Sequence, residues 1–390
     1  MSNPKVSTPN VSSGDLTPMR ILITVPWGSR LGGAEQLLQM VLDGAVASEH
    51  ELELVFFEAG PWPEELREAG FHVEVIPSGR LRQPHRMLAT VVRLAGVLRR
   101  RQPDLILNWT TKTQLYGAPA AILAGMTDRV AWWQHGVARG DWVDHCAARL
   151  PAIAIGCCSG AAAAAQAKLA PSRPIFIVPA GARVPRERQE RAPLELSTDA
   201  TVVGIVGRLQ PGKGQDRLLG AQVILRERGY TLHTVVVGGD AYGLSSEYAD
   251  SLPVLASRLG LTDAVTMTGQ VPDAGPYIDQ MDILVSASDA EGFGIVLLEG
   301  MARGVAVVAV DAGGPAEFIV DRQTGVLARS GQPQDLADAL EPLLDSPALR
   351  ESIATAGHER FLRDFTDVAM CKRFFSALEG LARSKGNSSP

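Results

Sequence analysis

Short apolar runs alternate with amphipathic stretches along most of the chain from residue 19 onward. The runs are rich in Val, Ile and Leu, and a glycine or polar turn follows each. This alternation is typical of parallel strands that helices cover on both faces. It predicts strands in the first half at residues 20–25, 51–57, 73–76, 104–108, 130–134, 152–156 and 175–178. Helices are predicted between them, including 33–47, 84–101 and 114–124.

The alternation stops near residue 183, where charged residues and prolines replace it, and it restarts at residue 201. Such a change in composition predicts a linker between two domains. Strands are predicted beyond it at residues 201–206, 231–237, 265–268, 283–286, 305–310 and 326–328. Two further helices, 347–364 and 367–383, are predicted at the end of the chain.

The fold class predicted is α/β, with two doubly wound, Rossmann-like domains that face a cleft. A chain of 390 residues suits two domains of ordinary size. The predicted organisation is a disordered leader (1–18), a first domain (19–182), a linker (183–200), a second domain (201–364) and a C-terminal segment (365–390). We expect the helix of that last segment to pack back on the first domain.

Composition narrows the class of protein further. Hydrophobic residues make up 46% of the chain, charged residues 21%, and the net charge is -6, which argues against a nucleic-acid partner. The four cysteines lack Cys-x-x-Cys spacing, so neither a disulfide framework nor structural zinc is expected. No segment has the pattern of a signal peptide or a membrane-spanning helix. The expected location is therefore the cytoplasm.

Arg208 and Lys213 flank a glycine-rich turn directly after the first strand of the second domain. Phosphates bind at the carboxyl edge of parallel strands, where a guanidinium offers a fork of donors and an ammonium a point charge. The pair therefore predicts a phosphate site. Without further support, the same two residues are also consistent with solvated surface cations.

Two glutamates, Glu291 and Glu299, frame the stretch after the strand at 283–286. We expect a helix to begin near Gly294, so that the free amides of residues 292–295 point at a ligand. Glu299 would then reach a ribose diol. Taken alone, the two carboxylates are equally typical of a helix-start glutamate and a solvated helical one.

Two features of the first domain are also candidate binding groups. Gly32 and Gly33 open a predicted helix whose amides would bind an anion, although a plain strand-to-helix turn has the same pattern. His135 follows the strand at 130–134, on the ligand side of a doubly wound sheet, where its imidazole would bond a sugar hydroxyl.

Over nearly its whole length the chain resembles retaining glycosyltransferases of family 4, which have the GT-B architecture. The resemblance rests on the segments 207–214 and 291–299, and on Gly32-Gly33-Ala34-Glu35, Gln134-His135-Gly136 and Gly313-Gly314-Pro315-Ala316-Glu317. It implies that Arg208 and Lys213 bind a donor diphosphate, that Glu299 holds the ribose, and that Glu291 meets the donor sugar. It also implies donor contacts from a larger set: Gly32, Gly33, His135, Gly269, Gln270, Val271, Gly292, Phe293, Gly294, Ile295 and Val296.

The resemblance implies transfer of a hexosyl or N-acetylhexosaminyl group from a nucleoside-diphosphate sugar, with UDP preferred over GDP, to an acceptor hydroxyl. The acceptor would be a small molecule, a glycan or a lipid-linked molecule. No Asp-x-Asp occurs, so neither a metal nor any cofactor besides the nucleotide-sugar co-substrate is expected. A sugar isomerase, a phosphorylase or a non-catalytic nucleotide-sugar sensor on the same architecture stays an alternative.

The acceptor side of the sequence is less defined. The first domain contributes candidate acceptor-binding residues, each equally consistent with a place in the core: Trp27, Trp109, Lys112, Trp132, Trp133 and Trp142. The predicted helix 84–101 combines an apolar stripe with basic ends, a pattern found in helices that lie on anionic membranes. A core-facing helix with a solvated basic face is the favoured interpretation.

Overall fold

The computed structural model describes residues 18–30, 32–45, 50–79, 83–185, 192, 194, 200–243 and 245–386. These residues form two compact units. The first contains the described residues up to Pro179 and those from Val368 onward, and the second is Ala180–Asp367. The predictions for nearly all of the leader, most of the linker and residues 46 and 47 lie outside the described residues.

The first unit is built on a parallel sheet in the order β3-β2-β1-β4-β5-β6-β7. Its strands are β1 (Arg20–Val25), β2 (Glu51–Phe56), β3 (His72–Val75), β4 (Leu105–Asn108), β5 (Val130–Gln134), β6 (Ala154–Cys157) and β7 (Ile175–Ile177). Its helices up to β7 are α1 (Gly33–Ala45), α2 (Pro61–Glu68), α3 (Pro84–Arg101), α4 (Thr111–Ala124), α5 (Trp142–Arg149) and α6 (Gly160–Leu169). Strands β4, β5 and β6 are buried throughout, as expected for strands covered on both faces.

The second unit has a parallel sheet in the order β10-β9-β8-β11-β12-β13. Its strands are β8 (Thr201–Val206), β9 (Leu232–Val237), β10 (Val265–Met267), β11 (Ile283–Ser286), β12 (Ala306–Val310) and β13 (Val326–Ala328). Its helices are α7 (Gln215–Glu227), α8 (Ser246–Arg258), α9 (Gly275–Ile278), α10 (Ile295–Ala302), α11 (Pro315–Phe318), α12 (Pro333–Asp345) and α13 (Pro347–Asp364). Two doubly wound α/β domains are thus confirmed, and every predicted strand is present with ends shifted by at most two residues.

Helix α4 starts three residues earlier than predicted, because local capping extends it to Thr111. The Thr113 amide donates to the Thr110 hydroxyl at 3.3 Å, and the Thr110 amide donates to the Thr113 hydroxyl at 2.9 Å. This reciprocal pair satisfies amides that a helix leaves free at its start. Helix α2, whose Trp62 and Leu66 are buried, is one of the helices predicted between the strands for which the sequence indicated no bounds.

The last helix, α14 (Asp367–Gly386), belongs to the first unit from Val368 onward. The ring of Phe374 lies 4.9 Å from that of Trp133. His50 Nε2 lies 3.0 Å from Glu379 Oε1, and both side chains are largely buried. The C-terminal helix therefore completes the core of the first unit.

Helix α3 divides its apolar residues between the core and the surface. Val91, Leu94 and Leu98 are buried in the first core, whereas Leu88 and Val92 are 62% and 55% exposed. The core-facing interpretation thus accounts for part of the stripe. Within the described ranges, no helix combines the length and the apolar character needed to cross a bilayer.

Candidate functional site

The loops at the carboxyl edge of the second sheet carry most of the predicted site residues. Because its strands are parallel, the loops that follow them all emerge at one edge. The turn 207–214 follows β8, residues 238–239 follow β9, and Gly269 stands just beyond β10. Glu291 lies in the loop after β11, and residues 311–314 follow β12.

The turn between β8 and α7 is shaped by a close approach to the neighbouring loop. Gly214 precedes α7 with φ +81°, and a Cβ on it would lie 2.6 Å from the Ala287 carbonyl oxygen. Only glycine is compatible with both this backbone conformation and this contact. The turn that carries Arg208 and Lys213 is therefore packed directly against the loop that leads to Glu291.

Hydrogen bonds fix the backbone of Arg208, while its side chain has no partner among the residues that the structure describes. Gln215 Nε2 donates to the Arg208 carbonyl at 3.0 Å, and Tyr248 Oη donates to Gln215 Oε1 at 3.1 Å. The Leu209 amide donates to the Gly239 carbonyl at 2.9 Å. The half-buried Arg208 guanidinium makes no hydrogen bond or ion pair in the described part of the chain. A positioned but unpaired guanidinium is suited to bind an anion.

Lys213 and Glu291 are in direct contact. Lys213 Nζ lies 2.6 Å from Glu291 Oε2, and their side chains are 27% and 16% exposed. A second ion pair joins helix α7, which follows the turn, to the same loop, since Arg217 Nη1 lies 2.5 Å from Asp289 Oδ2. The turn 207–214 and the Glu291 loop thus form one electrostatically linked surface.

The loop after β12 supports the Glu291 loop from its other side. The Gly314 amide donates to the Glu291 carbonyl at 3.0 Å. Gly313 has φ +67°, and a Cβ there would lie 2.3 Å from the same carbonyl oxygen. The glycine pair of the 313–317 motif therefore positions the Glu291 backbone.

Residues 292–296 lead into α10 and form its first residues. Gly294 precedes the helix in a left-handed conformation, and the helix begins at Ile295. Phe293 is buried and stacks on Phe318 with ring centroids 5.1 Å apart. Its side chain is thus a core anchor, which leaves the backbone amides at the helix start to bind a ligand.

Glu299 lies in the second turn of α10 and is partly buried. Burial raises the pKa of its carboxyl to about 7; nearby Arg303 opposes this shift and Asp273 adds to it. At neutral pH the group is therefore divided between a form that accepts hydrogen bonds and a form that also donates one. The ionised form suits a ribose diol better, because it can accept from both hydroxyls.

The segment Gly269, Gln270 and Val271 lies beside the β8 and β9 loops. The Gly238 amide donates to the Gly269 carbonyl at 3.1 Å. Gly269 and Gln270 are exposed, and Val271 is half-buried. Because Asp273, two residues further on, acts on the pKa of Glu299, this segment belongs to the same surface.

His135 belongs to the first unit, where it follows β5. Its ring lies 4.7 Å from that of Trp109, and its Nε2 atom is buried without a partner among the described residues. Burial lowers its pKa to about 4, against the effect of a hydrogen bond to the Trp109 backbone. The imidazole is therefore neutral at physiological pH.

Gly32 and Gly33 also belong to the first unit, at the start of α1. The buried Glu35 stands in the first turn, and its Oε2 lies 2.7 Å from where a Cβ on Gly32 would be. A carboxylate there stabilises the helix start. It would also compete with an incoming anion for the same amides.

Several residues that support this surface were not predicted from the sequence. Gln215 and Arg217 continue the 207–214 motif into α7, and Asp289 stands two residues before Glu291, so their positions were a usable signal. Tyr248 gave none, because it is 33 residues away from Gln215 in sequence. Within the described ranges, no group of three or more His, Cys, Asp or Glu residues is placed to hold a metal ion.

Comparison with known proteins shows similarity to glycosyltransferases. Residues 186–360 match the family model of glycosyl transferases group 1. The chain is 36% identical over 201 residues to a D-inositol 3-phosphate glycosyltransferase of Actinosynnema mirum, covering 48% of each protein. It is 36% identical over 183 residues to the lipopolysaccharide core biosynthesis mannosyltransferase LpcC of Rhizobium leguminosarum, covering 47% of this chain and 51% of the relative. The chain thus spans about half the length of the curated relatives it matches.

Solved structures match over more of the chain. Anabaena Alr3699/HepE, solved in complex with UDP and glucose, has a TM-score of 0.79 at 23% identity, covering 92% of this chain and 99% of its own. Sucrose-phosphate synthase of Thermosynechococcus elongatus has a TM-score of 0.78 at 18% identity, covering 94% and 100%. The chain therefore has the fold that these GT-B glycosyltransferases share, and residues 186–360 are similar to the glycosyl transferases group 1 family.

Proposed function

We propose that this protein is a retaining, family 4-type glycosyltransferase that moves a hexosyl or N-acetylhexosaminyl group from a nucleoside-diphosphate sugar to an acceptor hydroxyl. The observation that carries the proposal is the Arg208 guanidinium, which has no partner among the described residues and stands on the same turn as Lys213 of the Lys213–Glu291 pair. Two cations and a carboxylate at one sheet edge suit a diphosphate joined to a polyhydroxylated ring.

The proposed reaction leaves the configuration of the anomeric carbon unchanged. The acceptor oxygen bonds to that carbon on the face from which the diphosphate departs, and the departing phosphate oxygen takes the hydroxyl proton. Arg208 and Lys213 stabilise the negative charge on the leaving diphosphate. Glu291 orients the sugar, Glu299 holds the ribose, and the amides of residues 292–296 bind sugar and phosphate oxygens. No metal has a role in this scheme.

We propose a uridine-linked donor ahead of a guanosine-linked one. Alr3699/HepE was solved with UDP-glucose as well as with UDP and glucose, which supports a uridine nucleotide. One relative is named a mannosyltransferase, which keeps guanosine-linked mannose as the second choice. The proposed base contact is the exposed segment formed by Gly269, Gln270 and Val271.

The test is a calorimetric screen of UDP, GDP and their glucose and mannose conjugates, followed by product analysis with acceptor mixtures. We expect a uridine ligand to bind, and Arg208→Ala to lower turnover by about two orders of magnitude. The matched control is Arg258→Ala, an exposed arginine in the last turn of α8. Failure of all these ligands to bind would contradict the donor site.

The products separate the alternatives on the same fold. A nucleotide-sugar isomerase would convert the donor sugar without an acceptor, and a phosphorylase would require inorganic phosphate. A sensor would bind the donor without turnover under any condition. Glycosylation of an acceptor with retained configuration would support the proposed reaction alone.

A further inference from the structure

The carboxyl edge of the first sheet has a feature that the proposed donor chemistry does not use. The strand order reverses between β1 and β4, which are neighbours in the sheet. At such a reversal the connecting loops diverge and leave a crevice where doubly wound domains bind ligands. Trp27 stands two residues after β1, and Lys112 stands four residues after β4, so both belong to this crevice.

Lys112 is a cation that forms no ion pair with the described part of the chain. It is partly buried in the first turn of α4, and no acidic oxygen of the described residues lies within ion-pair distance of its Nζ. Burial lowers its pKa, while the more distant charge of Glu58 acts in the opposite direction. Removing a lysine from water without an ion pair is unfavourable, and a bound anion would reverse that penalty.

Trp27 provides the second wall of the crevice. Lys112 Nζ lies 5.9 Å from the centroid of the Trp27 ring, within the range of a cation–π contact. This contact holds the ammonium group near an indole that is itself only partly buried. A half-buried aromatic face beside a positive charge suits a sugar or cyclitol ring that bears an anionic substituent.

The other tryptophans considered from sequence do not share this setting. Trp109, Trp132 and Trp133 are at most 1% exposed and belong to the core, whereas Trp142 is 68% exposed on α5. Lys168, another lysine of the first unit, is exposed on α6. The combination of partial burial, an aromatic neighbour and a sheet switch point is thus found at Lys112 and Trp27.

We propose that Lys112 and Trp27 form an acceptor subsite that binds an anionic group, a phosphate or a carboxylate, carried on a ring. This assignment rests on the proposed glycosyltransferase function, since it names the class of acceptor. Lys112 binds the anion as a point charge. The indole of Trp27 contacts the ring.

The test uses three hexoses that differ only at carbon 6: glucose 6-phosphate, glucuronate and glucose. Binding to the full-length protein is measured by calorimetry at constant ionic strength. The variants are Lys112→Met, which keeps a side chain of similar length but removes the charge, and Lys112→Arg, which keeps the charge. Lys168→Met is the matched control. UDP is titrated into every sample, because its binding tests the donor site independently.

We expect at least one of the two anionic hexoses to bind the wild-type protein more tightly than glucose. The one that binds more tightly shows whether the subsite prefers a phosphate or a carboxylate. Lys112→Met should weaken that binding at least about tenfold, with Lys112→Arg and Lys168→Met closer to wild type. The subsite is refuted if neither anion binds at millimolar concentration, if glucose binds equally well, or if Lys112→Met binds like wild type. If the wild-type protein does not bind UDP, the proposed function is refuted instead. If Lys112→Met does not fold, the affinities of the wild-type protein for the three hexoses still test whether it prefers an anionic ring.

Discussion

The Lys213–Glu291 ion pair predicts opposite effects of Glu291→Gln on UDP binding and on sugar transfer. In the free protein the carboxylate holds the ammonium group that would bind the donor diphosphate, with Nζ and Oε2 2.6 Å apart. UDP carries the diphosphate but lacks the sugar that Glu291 would orient. Removing the carboxylate charge should therefore strengthen UDP binding, while it weakens transfer from the complete donor.

The magnitude follows from the burial of the pair. Exposed ion pairs contribute about 0.2–1 kcal/mol, whereas breaking a buried one costs about 3–5 kcal/mol. With side chains 27% and 16% exposed, this pair lies between the two limits, at about 1–2 kcal/mol. If UDP has to displace the carboxylate, Glu291→Gln binds UDP about 5-fold to 30-fold more tightly. Loss of a charged hydrogen bond to the sugar lowers turnover about 10-fold to 100-fold.

The assay is calorimetric titration of UDP at fixed ionic strength, together with initial rates from UDP-glucose. Asp289→Asn is the matched control, because it removes one carboxylate from the same loop but frees Arg217 instead of Lys213. We expect the control to change UDP affinity much less than Glu291→Gln. Equal or weaker UDP binding by Glu291→Gln would show that Lys213 does not exchange partners, and the reasoning would be wrong.

Three further predictions test the supporting structure. The ionised form of Glu299 accepts from both ribose hydroxyls, so affinity for UDP-glucose should rise as the pH passes upward through about 7, and calorimetry should show a flat profile for Glu299→Gln. Gln215→Leu removes the donor to the Arg208 carbonyl and should lower kcat/KM about 5-fold to 30-fold, with unfolding by urea measured alongside to separate positioning from loss of fold. Gly313→Ala should lower the free energy of unfolding in urea by about 1–3 kcal/mol more than Gly304→Ala does. Gly304 is the matched control, because its φ of +69° is close to the +67° of Gly313, but a Cβ on it would have no neighbour within 4 Å.

The raised pKa of Glu299 also has a defined effect on stability. The folded form binds this proton more tightly than the unfolded chain does, because burial disfavours the carboxylate. Its contribution to stability is therefore present below the ordinary glutamate pKa and is lost as the pH rises to about 7. A bound donor that prefers the ionised carboxylate would reduce this loss.

The sequence was most informative where one residue type is required by one local cause. Apolar runs buried on both faces predict parallel strands, and all of those predicted are present. The turn around Gly214 could also be recognised, because its left-handed backbone and its contact with Ala287 both require glycine. The first turn of α4 was missed, since a threonine capping pair has no apolar periodicity.

Contacts between distant segments could not be read from the sequence. Lys213 and Glu291 were each candidates, but their contact depends on β8 and β11 being neighbours in the sheet. The hydroxyl of Tyr248 reaches Gln215 across the gap between α8 and α7 for a similar tertiary reason. The pKa of Glu299 depends on burial and on Asp273, neither of which the motif itself specifies.

The return of α14 to the first unit has a consequence for synthesis. Phe374 packs against Trp133, and Glu379 contacts His50. Both of these α14 residues are synthesised more than two hundred positions after β6. The core of the first unit is therefore incomplete, with aromatic surface exposed, while the second unit is being translated. Expressing the first 179 residues by themselves should yield an aggregation-prone fragment, and supplying α14 in trans or by circular permutation should rescue it.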